Sequence, residues 1–475
     1  MENLKGFLTF GGKEYPFSYS DAKLNLYPSE FDPQSLKRLF APIERGKKIE
    51  NIELCGVTAG RKNVIFEVPE QYSDQEGFLS FNVYSIFEYD SWRYSHSIED
   101  GKKKHQTKET KIRGLKFRGL DVDIFYPPEK AYLIETSADD IYHTTVCVKK
   151  ISAKPLGIIT WEGKEISFSA QYTIKQSFSS TPLLSASEIV AVFSDSVDLK
   201  FIKDIYWAVY QTLRYLLRRI NIVFDSIDIF DINEDSIRNK FGSFYELREQ
   251  QEKETHTKMK RRVLSYDCIG DKFADLVKSF LDETIYIENL PANIDSTNKF
   301  GPDRMLFDFV AFEREYANLY PESDIRSEKY IEAKTVALEA IYSLMSKKSG
   351  KVKKYLSSFY KRIDNDENSL SDRLMVVIND CKTILSPFLI NELGKEYDVK
   401  IDGITPLEDI ASIMNTLRND MAHGNLDIQL DGQHIMGFSI IETILYAMRL
   451  KALEIEERRI QEGIIQVMGF NFSLD

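Results

Sequence analysis

The stretch Pro406-Leu407-Glu408-Asp409-Ile410-Ala411-Ser412-Ile413-Met414-Asn415-Thr416-Leu417-Arg418-Asn419-Asp420-Met421-Ala422-His423-Gly424 decides how the C-terminal part of this chain is read. Pro406 suits the first turn of a helix, where a missing N–H is no loss. Glu408 and Asp409 follow at the end where the helix dipole favours acids. Ile410, Ile413, Met414 and Leu417 recur at helical spacing and make one apolar face. Gly424 is a stop signal. The pattern predicts a helix over 406–423 with His423 in its last turn, where the dipole favours a protonated imidazole.

Asn419 and His423, four residues apart, share a face of that helix. Arg418 and His423 are five apart, about 140° round the helix, so they do not stack directly. A long Arg can reach round at a helix end, or a second copy can face the first across a two-fold axis. An Arg, an amide and a titratable imidazole on one spot form an anion site that holds a proton carrier. The plainer alternative is a helix-terminal His that meets the last carbonyls beside a solvated Arg.

Outward from the motif, residues 296–475 read as helical throughout, with helices at 303–319, 325–347, 351–362, 369–394, 406–423 and 433–465. Breaks at Pro321, Gly350 and the acidic turn 364–368 separate them, which fits an up-and-down bundle. Lys347, Lys348, Lys351, Lys353 and Lys354 form a basic run between two of these helices. They read either as a solvated loop or as an electrostatic guide for RNA phosphates. Glu313 and Arg314, on the first helix of the bundle, are candidates to border the cleft, although nothing in the sequence places them there, and His434 reads as structural.

Arg418-Asn419 followed after three residues by His423, on a helix in an all-helical segment, resembles the Arg-x4-His form of the HEPN ribonuclease signature. An Asn directly after the Arg is the polar residue favoured in that family. The β-rich N-terminal half, with patterns such as KGFLTFGGKEYPF at 5–17, resembles the ApeA-like HEPN proteins of bacterial anti-phage defence. The resemblance implies a homodimer, or a higher even oligomer, with a composite site, and RNA (tRNA included) as substrate. It implies Arg418, Asn419 and His423 as the catalytic residues, with no metal and no cofactor. RNA carries its own nucleophile, the 2′-OH, so cleavage would leave a 2′,3′-cyclic phosphate and a 5′-OH. In that chemistry His423 moves the proton, Arg418 clamps the phosphate, and Asn419 orients. One His per chain does not readily serve as both acid and base, whereas a two-fold dimer brings two. Asp420 reads as tuning His423 or as facing solvent.

The whole chain sets bounds on this reading. At 475 residues it should hold two or three domains. A hydrophobic fraction of 43% with 12% aromatics argues for a large core and against disorder. A net charge of −12 argues against sequence-blind coating of nucleic acid, although local basic patches can act within an acidic protein. Cys55, Cys147, Cys268 and Cys381 are far apart and form no CxxC pair, which suits a reducing cytoplasm. The N-terminus has no signal-peptide layout and no run approaches a membrane span, so a cytoplasmic protein is expected. Phosphate-loop, His-Glu-x-x-His and two-metal nuclease patterns are missing from the sequence.

The fold class expected is α+β multidomain, in three parts: 1–180 β-rich, 181–295 mixed α/β, and 296–475 helical. In the first part GFLTF, NIELCGV, NVIFEV, GFLSFNVYSIFEY, DVDIFY, TTVCVKKI and GIITWEGKEISFSAQYTI read as strands, with hairpin turns at Gly11-Gly12 and Glu162-Gly163-Lys164. Arg45-Gly46-Lys47-Lys48 reads as a loop, and the Gly101–His105 basic tract as a connection between two strands. His96, His105 and His143 lack metal-ligand spacing. In the middle part, Ser185 or Ser187 is a candidate helix cap, and 199–219 is amphipathic with a Trp207/Tyr210/Leu213/Leu217 core stripe. Residues 220–232 read as strand-like, 248–262 as a charged connector, and 271–283 as a helix. The N-terminal part would sense a phage protein or restrain the nuclease. The competing readings are a non-catalytic binding and dimerisation module, and the toxin half of a toxin–antitoxin pair.

Overall fold

The computed structural model describes residues 3–29, 52–69, 72–75, 77–99, 102–136, 144–148, 152–176, 183–233, 237–247, 254, 262–297, 299, 301–321, 328–364, 369–401, 403–425 and 429–474. The chain divides into two compact units. Met1–Leu217, Asn221–Lys260 and Gly270–Leu281 form the first; Arg218–Ile220, Arg261–Ile269 and Asp282–Asp475 form the second. The α+β expectation holds at this level, with a large antiparallel sheet in the N-terminal half and a helical C-terminal region. The stretch 181–295 is shared between the two units.

In the first unit, fourteen strands pair into one sheet among the described residues. From edge to edge they are Lys154–Trp161, Lys164–Gln176, Leu183–Phe193, Gly114–Arg118, Ser226–Ile232, Arg238–Glu246, Ser85–Tyr89, Asn63–Val68, Ile52–Thr58, Leu4–Phe10, Lys13–Ser20, Lys23–Leu26, Phe78–Asn82 and Tyr72–Gln75. Period-2 alternation drives the pairing. Along Lys13–Ser20, Tyr15, Phe17 and Tyr19 turn inward and pack with Phe66 and Leu24 in one core. The turns at Gly11-Gly12 and at Glu162-Gly163 close hairpins as the dipeptides predict. Besides the short helix Leu120–Phe125, the described residues of this unit form two longer helices, α1 (Leu199–Leu216) and α2 (Phe273–Leu281). Asp198 caps α1 by accepting from Phe201 N at 2.9 Å.

Several expectations in this unit are corrected. Ser185 and Ser187 cap no helix, because Leu183–Phe193 is a central strand between Lys164–Gln176 and Gly114–Arg118. The Ser187 hydroxyl instead donates to the Tyr126 carbonyl. The DVDIFY segment is not a strand: Leu120–Phe125 is a short helix whose Asp121 accepts from Val223 N at 2.6 Å. The basic tract does not merely connect strands, since Lys102–Glu109 is itself a strand paired with Trp92–Glu99, His105 opposite His96. In the stripe of α1, Tyr210, Leu213 and Leu217 are buried, while Trp207 is 46% exposed. The 45–48 tract, His143 and most of 248–262 lie outside the described residues.

The second unit is helical: α3 (Pro302–Leu319), α4 (Glu328–Ser346), α5 (Gly350–Asp364), α6 (Leu370–Asp380), α7 (Lys382–Leu393), α8 (Pro406–Ala422), α9 (Gly432–Ala452) and α10 (Glu457–Met468). The expected single helix 369–394 is two, α6 and α7, meeting at Cys381 with a bend of 114°. Pro387 lies inside α7 and cannot donate to the Thr383 carbonyl, which instead accepts from Gln461 Nε2 at 3.0 Å. The expected helix 433–465 is likewise two, α9 and α10. Among the described residues no single helix is long and apolar enough to cross a membrane.

The core of this unit runs along α3 and α9, with Phe309 against Phe438 at 5.3 Å between ring centroids. Charges are buried with it. Glu442 on α9 accepts from Arg218 at 2.5 Å and also from Arg304, and Arg449 pairs with Glu315 at 2.6 Å. Asp308 accepts from Asn289 Nδ2 at 2.9 Å, and its other carboxylate oxygen is buried without a hydrogen bond. Burial, with Glu442 nearby, pushes its carboxyl well above the ordinary range, so Asp308 favours its neutral form.

Candidate active site

The motif helix α8 is fixed at both ends by local chemistry. Thr405 and Glu408 form a capping box: Thr405 Oγ1 accepts from Glu408 N at 3.0 Å, and Glu408 Oε2 accepts from Thr405 N at 2.8 Å. Those bonds from Thr405 hold the Glu408 carboxyl below its usual range. Pro406 occupies the first turn, and Leu407, Ile410, Ala411, Met414, Leu417 and Met421 form the buried face. Gly437 on α9 lets that face come close, because a Cβ there would sit 2.2 Å from Met414 Sδ. At the far end His423 caps the helix with its N–H donating to the Asn419 carbonyl at 3.1 Å. Gly424 follows at φ 81, a left-handed conformation that ends the helix.

This packing leaves the opposite face of α8 to solvent. Asn419 and His423 are exposed, and Arg418 is partly so. Arg418 Nη2 donates to Glu313 Oε1 on α3 at 2.8 Å, and its Nη1 reaches Asn419 Oδ1 at 3.3 Å. The guanidinium is therefore held between a carboxylate and an amide, pointed at α3. Among the described residues no side chain is hydrogen bonded to the His423 imidazole, and none joins Arg418 directly to it. Arg418 and Asn419 meet within one chain, whereas His423 stands apart at the helix end. The loop beyond Asn425 lies partly outside the described residues.

Of the two first-helix candidates for the cleft border, Glu313 is the one that meets the motif. It lies 105 residues upstream, and only the packing of α3 on α8 brings it to Arg418. Its neighbour Arg314 lies over the Tyr286 ring at 5.3 Å and is no part of the motif. His434 pairs with Asp431 at 2.7 Å in the capping box of α9, a structural use. Asp420 is exposed. Lys347 and Lys348 lie between α4 and α5, and Lys351, Lys353 and Lys354 lie in the first turn of α5, all exposed. No hydrogen bond or ion pair among the described residues ties these lysines to Arg418, Asn419 or His423.

No set of three or more His, Cys, Asp or Glu side chains among the described residues is arranged to hold a metal ion. The four cysteines are free, and burial pushes the Cys268 thiol up to about 12. The first unit holds a separate cavity of about 340 Å³ beside α1, walled by Tyr206, Trp207, Tyr210 and Phe224. Comparison of the chain with protein-family models, curated proteins and solved structures gives no match.

Proposed function

We propose that this chain is a metal-independent endoribonuclease of bacterial anti-phage defence, of the abortive-infection kind, acting through Arg418, Asn419 and His423. The observation that carries the reading is the end of α8, where a permanent cation, an amide and an imidazole with no hydrogen bond among the described residues lie within six residues on an accessible surface. The titratable His supplies proton handling, the neutral Asn a hydrogen-bonding orienter, and Arg two donors for a phosphate.

In the reaction, the His423 imidazole takes the 2′-OH proton as O2′ bonds to phosphorus. The bond from phosphorus to O5′ breaks, and the leaving oxygen takes a proton from His423 of the partner subunit. The products are a 2′,3′-cyclic phosphate and a 5′-OH. Arg418 leaves Glu313 to bond two phosphate oxygens and offset the charge that builds on the phosphorane. Asn419, already against Arg418, holds the guanidinium in line. Lys347, Lys348, Lys351, Lys353 and Lys354 draw the RNA backbone by charge. Structured RNA such as tRNA suits the site, because unpaired loop bases can be splayed and read. The N-terminal unit responds to a phage protein and restrains cleavage until then.

The test is cleavage of total RNA by the full chain in excess chelator, with the ends mapped, for wild type and His423→Ala. Cuts that survive chelation, carry 2′,3′-cyclic phosphate and vanish in the variant support the reading. A divalent-ion requirement places the chemistry elsewhere. Equal function of wild type and His423→Ala with RNA still bound identifies a binding module instead.

A further inference from the structure

The cavity of about 340 Å³ in the first unit is near the lower end of the size range for small-ligand sites. Its wall is aromatic. One stretch of α1 supplies Tyr206, Trp207 and Tyr210, the loop after α1 supplies Phe224, and the strand Arg238–Glu246 supplies Phe244. Phe224 and Phe244 stand at 64° and 63° to the Tyr206 ring, with centroids 6.0 and 5.1 Å from it. The two near-parallel rings, Tyr206 and Tyr210 at 17°, lie 5.7 Å apart, too close to admit a third ring between them. A flat base therefore has no slot in that pair. Tyr206, Tyr210 and Phe244 are buried, whereas Trp207 keeps nearly half of its surface in water.

The charges that line this cavity have one sign. Asp225 and Glu246 line it, and among the described residues no Lys, Arg or His does. Glu246 also ends a row that crosses four neighbouring strands. Glu53 is opposite Glu67, Glu67 is opposite Ser85, and Ser85 is opposite Glu246, so these side chains share one face of the sheet. The far end of the row already holds an ammonium, since Lys203 Nζ of α1 lies 2.8 Å from Glu53 and 3.3 Å from Glu67. The rings hold a cation too. The Arg214 guanidinium lies 4.2 Å from the Tyr210 centroid and 5.9 Å from that of Trp207. Carboxylate row and ring faces each take a cation of this chain, and the cavity is where the two kinds of group come together.

We propose that this cavity is a receptor site for an organic cation, an ammonium or guanidinium head on a short apolar stem. The rings take the stem out of water, and the Trp207 π-face with Asp225 and Glu246 holds the head. A Lys or Arg side chain of another protein carries this chemistry, and so does a free amine. Anions, nucleotides among them, are disfavoured, because both lining carboxylates repel a phosphate. The site belongs to the first unit and stands or falls independently of the nuclease reading of α8.

The experiment is a ligand-observed NMR titration of the full chain with matched probes. Choline and 3,3-dimethylbutan-1-ol share a shape and differ in charge, and Nα-acetyl-lysine methylamide and Nα-acetyl-arginine methylamide carry the side-chain cations. At least one cation should bind with a Kd of about 10 mM or lower, and about tenfold or more tightly than the uncharged alcohol. Binding of choline alone identifies a free amine as the source, and binding of a blocked amino acid alone identifies a protein side chain. Asp225→Asn with Glu246→Gln should weaken the binding about tenfold, and so should Trp207→Ala, with circular dichroism to check folding. Equal binding of alcohol and cation reduces the site to an apolar cavity and overturns the proposal. Tighter binding of adenosine monophosphate than of any cation also overturns it. So does binding that ignores these substitutions, or the failure of every cation to bind.

Discussion

Glu442 is a single carboxylate that serves two buried guanidinium groups, and its removal has a calculable effect. It accepts from Arg218 at 2.5 Å and from Arg304, and all three side chains are less than 10% exposed. Arg304 keeps the carbonyls of Ser296, Thr297 and Lys299, at 3.2, 3.0 and 3.0 Å, so it retains partners after the change. Among the described residues Arg218 has no such set of carbonyls. Glu442→Gln preserves shape but strands a buried positive charge, for which about 3–5 kcal/mol is the usual cost. For a unit of this size each kcal/mol moves the melting temperature by about 2–4 °C, so the expected fall is about 6–20 °C. Scanning calorimetry measures it, and hydrogen exchange should place the loss of protection in Pro302–Leu319 and Gly432–Ala452. Replacing the three side chains together by apolar ones of like volume should recover most of the stability, since pairing inside a protein gains little over good apolar packing. A fall under about 3 °C for Glu442→Gln would refute the reasoning, because the guanidinium groups would then be solvated or otherwise matched.

Other outcomes follow from the same geometry. Glu313→Gln frees a guanidinium from a pair that is about one-third exposed, so unfolding should change by less than about 1 kcal/mol while the KM for RNA falls about 2–5-fold; a raised KM would make Glu313 a positioning residue instead. Asp308 has a folded-state carboxyl held above its ordinary 3.8, so it contributes stability below that pH and loses it as pH rises toward the raised value. Asp308→Asn should therefore gain on wild type as urea unfolding is repeated from about pH 4 to pH 7; parallel curves would contradict the shift. Gly437→Ala puts a methyl 2.2 Å from Met414 Sδ and should cost about 1–3 kcal/mol in thermal melts, with Met414→Ala restoring the lost room.

The sequence by itself determined whatever acts within a turn or two of chain. Pro406, the acids after it and the apolar spacing specify α8, and Gly424 ends it, because capping, dipole and periodicity are local forces. The dipeptides at Gly11-Gly12 and Glu162-Gly163 specify their hairpins for the same reason. Tertiary structure decided the rest. Leu183–Phe193 looks capped for a helix, yet it pairs as a central strand with a segment some seventy residues upstream, and pairing partners leave no mark on a strand's own residues. Inside α7 the Thr383 carbonyl that Pro387 leaves free is met by Gln461, 78 residues downstream, a partner only the fold supplies. Above all, Glu313 and Arg418 lie 105 residues apart, and Arg218 and Glu442 lie 224 apart. Any helix surface carries charges like these. Only the fold decides which are brought together and stripped of water, and that desolvation makes one pair a weak surface contact and the other a point of failure.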